Sequence, residues 1–296
     1  MQIGVIFPQT EIGSDPGAAR EYAQAAEDLG FGYVFIADHV LGADPSYHQH
    51  ESYTIYNHQS VVHEPLTLLG FLAGVTKRIG LATGILILPQ RQTALVAKQA
   101  AEIDVLSEGR LRLGIGVGWN PVEFQALNQD FHNRGRRSEE QIALLRALWT
   151  QEVVDFRGRW HRVDRAGLNP LPVQRPIPVW LGAGSASGSK PPDVVLRRIA
   201  RLADGWCPNF LPDGPGRELV TRVRGYAKAA GRDPAGLGLE GRLRVAGKGP
   251  EDWLAEVKAW EALGATHLCV ETRRGGLRSV DQHLDAIRRF KDVVQV

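Results

Sequence analysis

The sequence predicts a (β/α)8 TIM barrel formed by residues 1–296 as a single domain, and three observations carry that prediction. Eight apolar runs of strand length alternate with helical segments. Several of the runs are almost continuously apolar, as parallel strands covered on both faces must be. Polar and glycine residues gather just past the C-terminal end of each run, where barrels of this kind carry their functional loops. An open doubly wound sheet meets the same alternation, and the count of eight favours closure.

Taken in order, the first run (residues 3–8) leads into Gln9, and a helical face with Tyr22, Ala26 and Leu29 follows. The second (33–37) ends on Asp38-His39. The third (79–88) contains Gly84, and the fourth (111–117) alternates Gly114, Gly116 and Gly118 before Trp119. Ile142, Leu145 and Leu148 share the face of the next helix. The fifth run (179–182) opens into Gly182-Ala183-Gly184-Ser185, with a helix starting near Pro192. Runs 205–208, 239–245 and 267–271 complete the set. Helical faces through Leu254, Val257 and Trp260, and through Val280, Leu284, Ile287 and Phe290, accompany the last two.

Gly30, Gly109, Gly205 and Gly264 each stand where a helix wants a left-handed C-cap. Two insertions break the rhythm: residues 40–63 after strand 2, and 151–178 before strand 5, with a hairpin expected at Phe156-Arg157-Gly158-Arg159-Trp160. Long insertions in a compact domain are often lids or binding loops, and 40–63 together with 158–167 are read as the lid.

Composition narrows the function. Hydrophobic residues are 43%, charged residues 23% and the net charge is +2, so neither nucleic acid nor an anionic membrane is an indicated partner. Two cysteines, Cys207 and Cys269, make no disulfide framework and suit a reducing compartment. No basic segment followed by an apolar one opens the chain, and no apolar stretch approaches the roughly 20 residues that span a bilayer. A cytoplasmic protein is expected.

At the strand ends, Asp38-His39 offers a proton-exchanging imidazole with an adjacent carboxylate, or merely a strand terminator and a surface histidine. Gly182, Ala183, Gly184 and Ser185 leave backbone N–H groups open to a phosphate ahead of a helix, or form a flexible loop. Gly118-Trp119 could flank a planar ring. Gly84-Ile85 reads as a bulge or as ordinary core strand. His48, His50, His58 and His63 match no zinc spacing, and no metal is expected. Trp149, Trp180, Trp253 and Trp260 are read as core.

Ala37-Asp38-His39, the run from Leu81 to Pro89, the run from Leu106 to Trp119, Arg134-Gly135-Arg136-Arg137-Ser138, Phe156 to Trp160 and Pro178 to Gly184, in this order, resemble the luciferase-like monooxygenase superfamily of flavin- and F420-dependent enzymes. Within it the chain looks most like F420-dependent oxidoreductases. The resemblance implies that Asp38 and His39 lie at a deazaflavin, with His39 the proton donor or ring anchor. It implies that Gly84-Ile85 is a third-strand bulge, commonly a non-prolyl cis peptide, behind the ring. Gly118 and Trp119 would border the ring's polar edge, and Gly182 to Ser185 the cofactor phosphate. Two residues depart from the sugar-phosphate dehydrogenases of the group: no tryptophan closely follows Asp38-His39, and Trp119 stands where they carry an acid.

The expected activity is hydride transfer between coenzyme F420 and a small organic substrate. The alternative is an FMN-dependent monooxygenase using reduced flavin and oxygen. A separate cofactor reductase and a homodimer or larger homo-oligomer complete the expectation.

Overall fold

The computed structural model describes residues 1–184 and 190–295. Eleven strands and nine α-helices alternate along them. In chain order they are β1 (Gln2–Ile6), α1 (Pro16–Asp28), β2 (Tyr33–Ile36), α2 (Pro65–Val75), β3 (Gly80–Thr83), β4 (Leu86–Ile87), α3 (Thr93–Leu106), β5 (Leu111–Gly116), α4 (Pro121–Ala126), α5 (Arg134–Thr150), β6 (Val154–Arg157), β7 (Arg162–Ala166), β8 (Val179–Ala183), α6 (Asp193–Leu202), β9 (Gly205–Pro208), α7 (Gly214–Ala229), β10 (Gly238–Arg244), α8 (Pro250–Leu263), β11 (His267–Glu271) and α9 (Val280–Val294).

The sheet closes. All its pairings are parallel, β1 pairing with both β2 and β11, and β3 with both β2 and β5. β3 and β4 are two halves of one barrel strand, both paired with β5, and the joint between them is the cis peptide Gly84-Ile85. Eight strand positions therefore make the ring, with α-helices packed outside it. β6 and β7 form the antiparallel hairpin expected before the fifth apolar run, which is β8.

Apolar burial explains the order of the layers. All four residues of β2 are buried, and α9 buries His283, Leu284, Ile287 and Phe290 on one stripe. Removing a Leu, Ile or Phe side chain from water contributes about 1.5–3 kcal/mol, so these stripes hold the helices to the sheet. Helix starts are capped by side chains: Asp15 accepts from Gly17 N, Asp213 from Gly216 N and Ser279 from Gln282 N. The face of α8 is shifted from the expected one. Trp253, Val257, Trp260 and Leu263 are buried, while Leu254 is exposed.

Three of the four helix-ending glycines are left-handed, Gly30, Gly109 and Gly264, with φ of 75°, 83° and 85°. Gly205 is not. It begins β9, and a Cβ there would lie 2.3 Å from the Trp180 ring, so the glycine makes room for a tryptophan instead of ending a helix.

That tryptophan belongs to the barrel floor. The Arg112 guanidinium is 4.3 Å from the Tyr33 ring centroid and 4.4 Å from that of Trp180, and it pairs with buried Glu240. A buried carboxylate without a partner would cost several kcal/mol. Here the cation and two aromatic faces satisfy one another in the interior. Cys207 and Cys269 are free thiols beside this cluster. Trp149, Trp180, Trp253 and Trp260 are all buried, as expected of core residues.

Candidate active site

The C-terminal mouth is organised around Asp38 and His39, immediately after β2. Asp38 is buried, and its carboxylate accepts from Ile87 N at 2.8 Å and from Arg91 Nη2 at 2.8 Å. It thereby fastens the second half of the split strand to β2. Arg91 also reaches Glu64 at 2.8 Å, at the cap of α2.

His39 keeps 19% of its side chain exposed and stacks on Tyr56, with ring centroids 3.6 Å apart. Its Nδ1 lies 3.2 Å from Glu123 Oε1. Glu123 is 1% exposed and sits in α4, capped by Asn120 just after Trp119. The same carboxylate accepts from Val40 N at 2.8 Å, Leu41 N at 3.2 Å and Gln90 Nε2 at 3.1 Å. Burial by itself would raise its pKa, but the hydrogen bonds from His39, Gln90 and Leu41 hold it below the usual carboxylate range. Glu123 is therefore a carboxylate at neutral pH and accepts only. The proton on neutral His39 must then sit on Nδ1, leaving Nε2 as the nitrogen that gives or takes a proton.

Gly84-Ile85 forms the next part of the rim. Ile85 lies where β5 and β8 have no side chains: a Cβ on Gly116 would be 1.9 Å from Ile85 Cδ1, and one on Gly182 would be 2.6 Å from it. Gly84 itself lies against Phe35, whose ring would be 1.9 Å from an added Cβ. Gly118 has φ of 73° and packs on Ile87 and Phe124, and Trp119 extends from it. Trp119 meets His39 edge-on at 5.8 Å and stacks on His50 at 5.2 Å. Insertion 40–63 thus folds back over the end of β5, with the Tyr53 hydroxyl donating to Asn120 at 3.0 Å.

Ala183 ends β8, paired with Pro208, and Gly184 follows with φ of 88° beside Asn209. Ser185 lies outside the described residues. The structure therefore gathers Asp38, His39, Gly118 and Trp119 around Ile87 and Glu123, and sets Gly84-Ile85 against Gly182, with Ala183 and Gly184 next along β8. The hairpin expected to join the lid is instead tied to the outer layer. Glu140 of α5 accepts from the backbone N–H groups of Arg159, Trp160 and His161, and the His161 ring reaches Thr93 of α3.

Glu123 and Tyr56 carry no local signal of a site, and Gln90 and Arg91, though they stand at the end of the third run, carry no signal of their partners. The separation of Glu123 from His39 by 84 positions hid the pair, and only Asn120-Pro121, a helix-start signal at a strand end, marked its neighbourhood. Among the described residues no three His, Cys, Asp or Glu side chains are arranged to hold a metal ion, and no helix is long and apolar enough to cross a membrane.

Residues 1–284 match the family model for luciferase-like monooxygenases. An F420-dependent glucose-6-phosphate dehydrogenase of Segniliparus rotundus is 31% identical over 268 residues, covering 84% of this chain and 70% of its own. An F420-dependent hydroxymycolic acid dehydrogenase of Mycobacterium tuberculosis is 31% identical over 245 residues, covering 81% of this chain and 61% of its own. Among solved structures, a monooxygenase from Streptomyces bottropensis superposes with a TM-score of 0.80 at 19% identity, over 100% of this chain and 99% of the other. An F420-dependent secondary alcohol dehydrogenase bound to an F420–acetone adduct gives 0.77 at 18% identity, over 99% and 98%. The closed parallel barrel and the near full-length family match lead to one conclusion: this chain belongs to the luciferase-like monooxygenase family.

Proposed function

We propose that this chain is an oxidoreductase that moves a hydride between coenzyme F420 and a small organic substrate at the C-terminal mouth of the barrel. The observation that carries the reading is the pair His39–Glu123, held at 3.2 Å on a side-chain-poor rim. Two curated relatives at 31% identity are named as F420-dependent dehydrogenases, which supports the deazaflavin over FMN.

The rim suits a flat ring and its phosphate on structural grounds. Gly116 and Gly182 let Ile85 lie flat against β5 and β8, and the strand end at Ala183-Gly184 carries almost no side chain. Asp38, His39, Gly84, Ile85, Gly118 and Trp119 would hold the ring, and Gly182, Ala183, Gly184 and Ser185 the phosphate. The bound deazaflavin supplies the hydride chemistry. The protein's own part is proton control and exclusion of water. Glu123 keeps the His39 proton on Nδ1, so Nε2 can deliver or remove a proton at the substrate. Insertion 40–63, tied to Glu123 through Val40 and Leu41, shields the site. A separate reductase would restore the cofactor.

The test is direct. Purified protein is titrated with F420 and with FMN, followed by fluorescence, and oxygen uptake is recorded with each reduced cofactor. F420 binding without oxygen consumption is expected, with His39→Ala retaining binding but losing turnover. Tight FMN binding, no F420 binding and oxygen uptake would replace this reading with the monooxygenase.

A further inference from the structure

A second cavity-lining cluster lies beside the rim, at the C-terminal ends of β8 to β11. The cavity holds about 640 Å³ and shares Ala183 and Gly184 with the strand end just described. Six cationic side chains line it against three carboxylates, a local surplus of three charges in a chain whose whole net charge is +2.

The carboxylates are already engaged. Asp213 caps α7 by accepting from Gly216 N at 2.8 Å. Glu256 pairs with Lys248. Glu271, 2% exposed, accepts from Arg273 at 2.7 Å and lies 3.3 Å from Arg244. Arg242 and Arg274 are left over: among the described residues neither guanidinium has an ion-pair or hydrogen-bond partner. Partial desolvation, together with crowding by Arg273, Arg244 and Arg242, outweighs Glu271 and pushes the Arg274 guanidinium below its ordinary value although the residue is exposed. Arg242, Arg244, Arg273 and Arg274 line one cavity around Glu271 as their shared counter-charge, and like charges gathered in this way repel one another. Such a cluster is favourable when an anion completes it, because arginine matches carboxylate, sulfonate and phosphate oxygens with paired N–H donors.

We infer that this cavity is an acidic-group subsite of the substrate. The substrate is an organic anion whose carboxylate, sulfonate or phosphate is held by Arg242 and Arg274, with its apolar part against Pro208, Phe210 and Leu219. The assignment to substrate rests on the functional reading above. The same chemistry could instead serve an anionic part of the cofactor, and the test separates the two sources.

Inorganic phosphate is titrated at constant ionic strength into the wild-type protein, Arg242→Gln/Arg274→Gln and Arg242→Lys/Arg274→Lys, with calorimetry and thermal shift as readouts. F420 and FMN affinities are measured on each by fluorescence. Expected are saturable phosphate binding to wild type, a loss of roughly tenfold or more in the double Gln variant, most of the affinity in the double Lys variant, and cofactor affinity changed by less than about threefold. Absence of saturable phosphate binding to wild type would overturn the inference, and so would unchanged binding by a double Gln variant that melts like wild type. A double Gln variant that melts early leaves the decision to the Lys variant, which must bind phosphate where a neutral replacement does not. Competition between phosphate and cofactor, with both affinities falling together, would assign the arginines to the cofactor and reject the substrate role. Phosphate binding by a protein that takes neither cofactor would sink the redox reading and leave the anion site standing.

Discussion

Replacing Glu123 tests whether one buried carboxylate anchors both His39 and the insertion over the mouth. Its Oε1 collects three donors, Val40 N, Leu41 N and His39 Nδ1, and its Oε2 one, Gln90 Nε2. In Glu123→Gln the amide oxygen can keep the first three bonds. Its NH2 then faces Gln90, whose own amide oxygen is buried without a partner and can turn to accept. Only the charge is lost, a cost of about 1–2 kcal/mol. In Glu123→Ala four donors lose their acceptor at once. At about 1 kcal/mol or more for each donor left unsatisfied, less what water recovers, the cost is roughly 3–5 kcal/mol. Thermal midpoints should fall by about 2–3 °C for Gln and about 5–8 °C for Ala in a chain of this size. Urea unfolding gives the free energies, and hydrogen exchange at the Val40 and Leu41 amides reports the loop itself. If Ala costs no more than Gln, or both amides stay protected in the Ala variant, Glu123 is not the anchor.

Acid should destabilise the fold in two stages. Burial, aided by Arg273, lowers His283 from 6.5 to about 4, so the unfolded chain takes up a proton that the folded one refuses. Stability is complete above pH 6.5 and falls toward pH 4, by about 1.4 kcal/mol at pH 5.5 and about 3 kcal/mol in the limit. Below pH 4.5 the loss steepens, because Glu64, Glu123 and Glu271 hold folded pKa values lowered from 4.5. Urea midpoints at pH 7.0, 5.5 and 4.0 check both stages, and His283→Asn should flatten the first. Arg112→Leu strands Glu240 inside the barrel and should cost about 3–5 kcal/mol, much of it recovered in Arg112→Leu/Glu240→Leu. Equal stability of the single and double variants would refute the pairing. Gly116→Ala forces Ile85 aside at a cost of about 1–3 kcal/mol and should weaken cofactor binding more than it lowers the melting point, as paired titrations and melts will register.

Much of this architecture was legible in the chain. The eight barrel positions fall within a residue or two of the apolar runs, because parallel strands buried on both faces leave an unbroken apolar signature. Rim residues were legible for a related reason, since a barrel places its strand ends on one face. What escaped were long-range pairings. Nothing local to Glu123 names His39, and nothing local to Arg91 names Asp38. The shift in α8 has a comparable cause: Trp253 and Leu254 are both apolar, and only packing decides which turns inward. Gly205 looked like a helix cap because a strand that must make room for Trp180 also asks for glycine. Arg244, Glu271 and Arg273 stood at strand ends in plain view, but their association with Arg242 and Arg274 depends on the adjacency of β10 and β11.

The floor of the barrel limits how the molecule can be used. With Arg112 wedged between Tyr33 and Trp180 and neutralised by Glu240, the bottom is plugged and the vessel has a single door. A cofactor and a substrate bound at the mouth, as proposed, would therefore share one face of the barrel, and the arginine that closes the other face takes no part in admitting them.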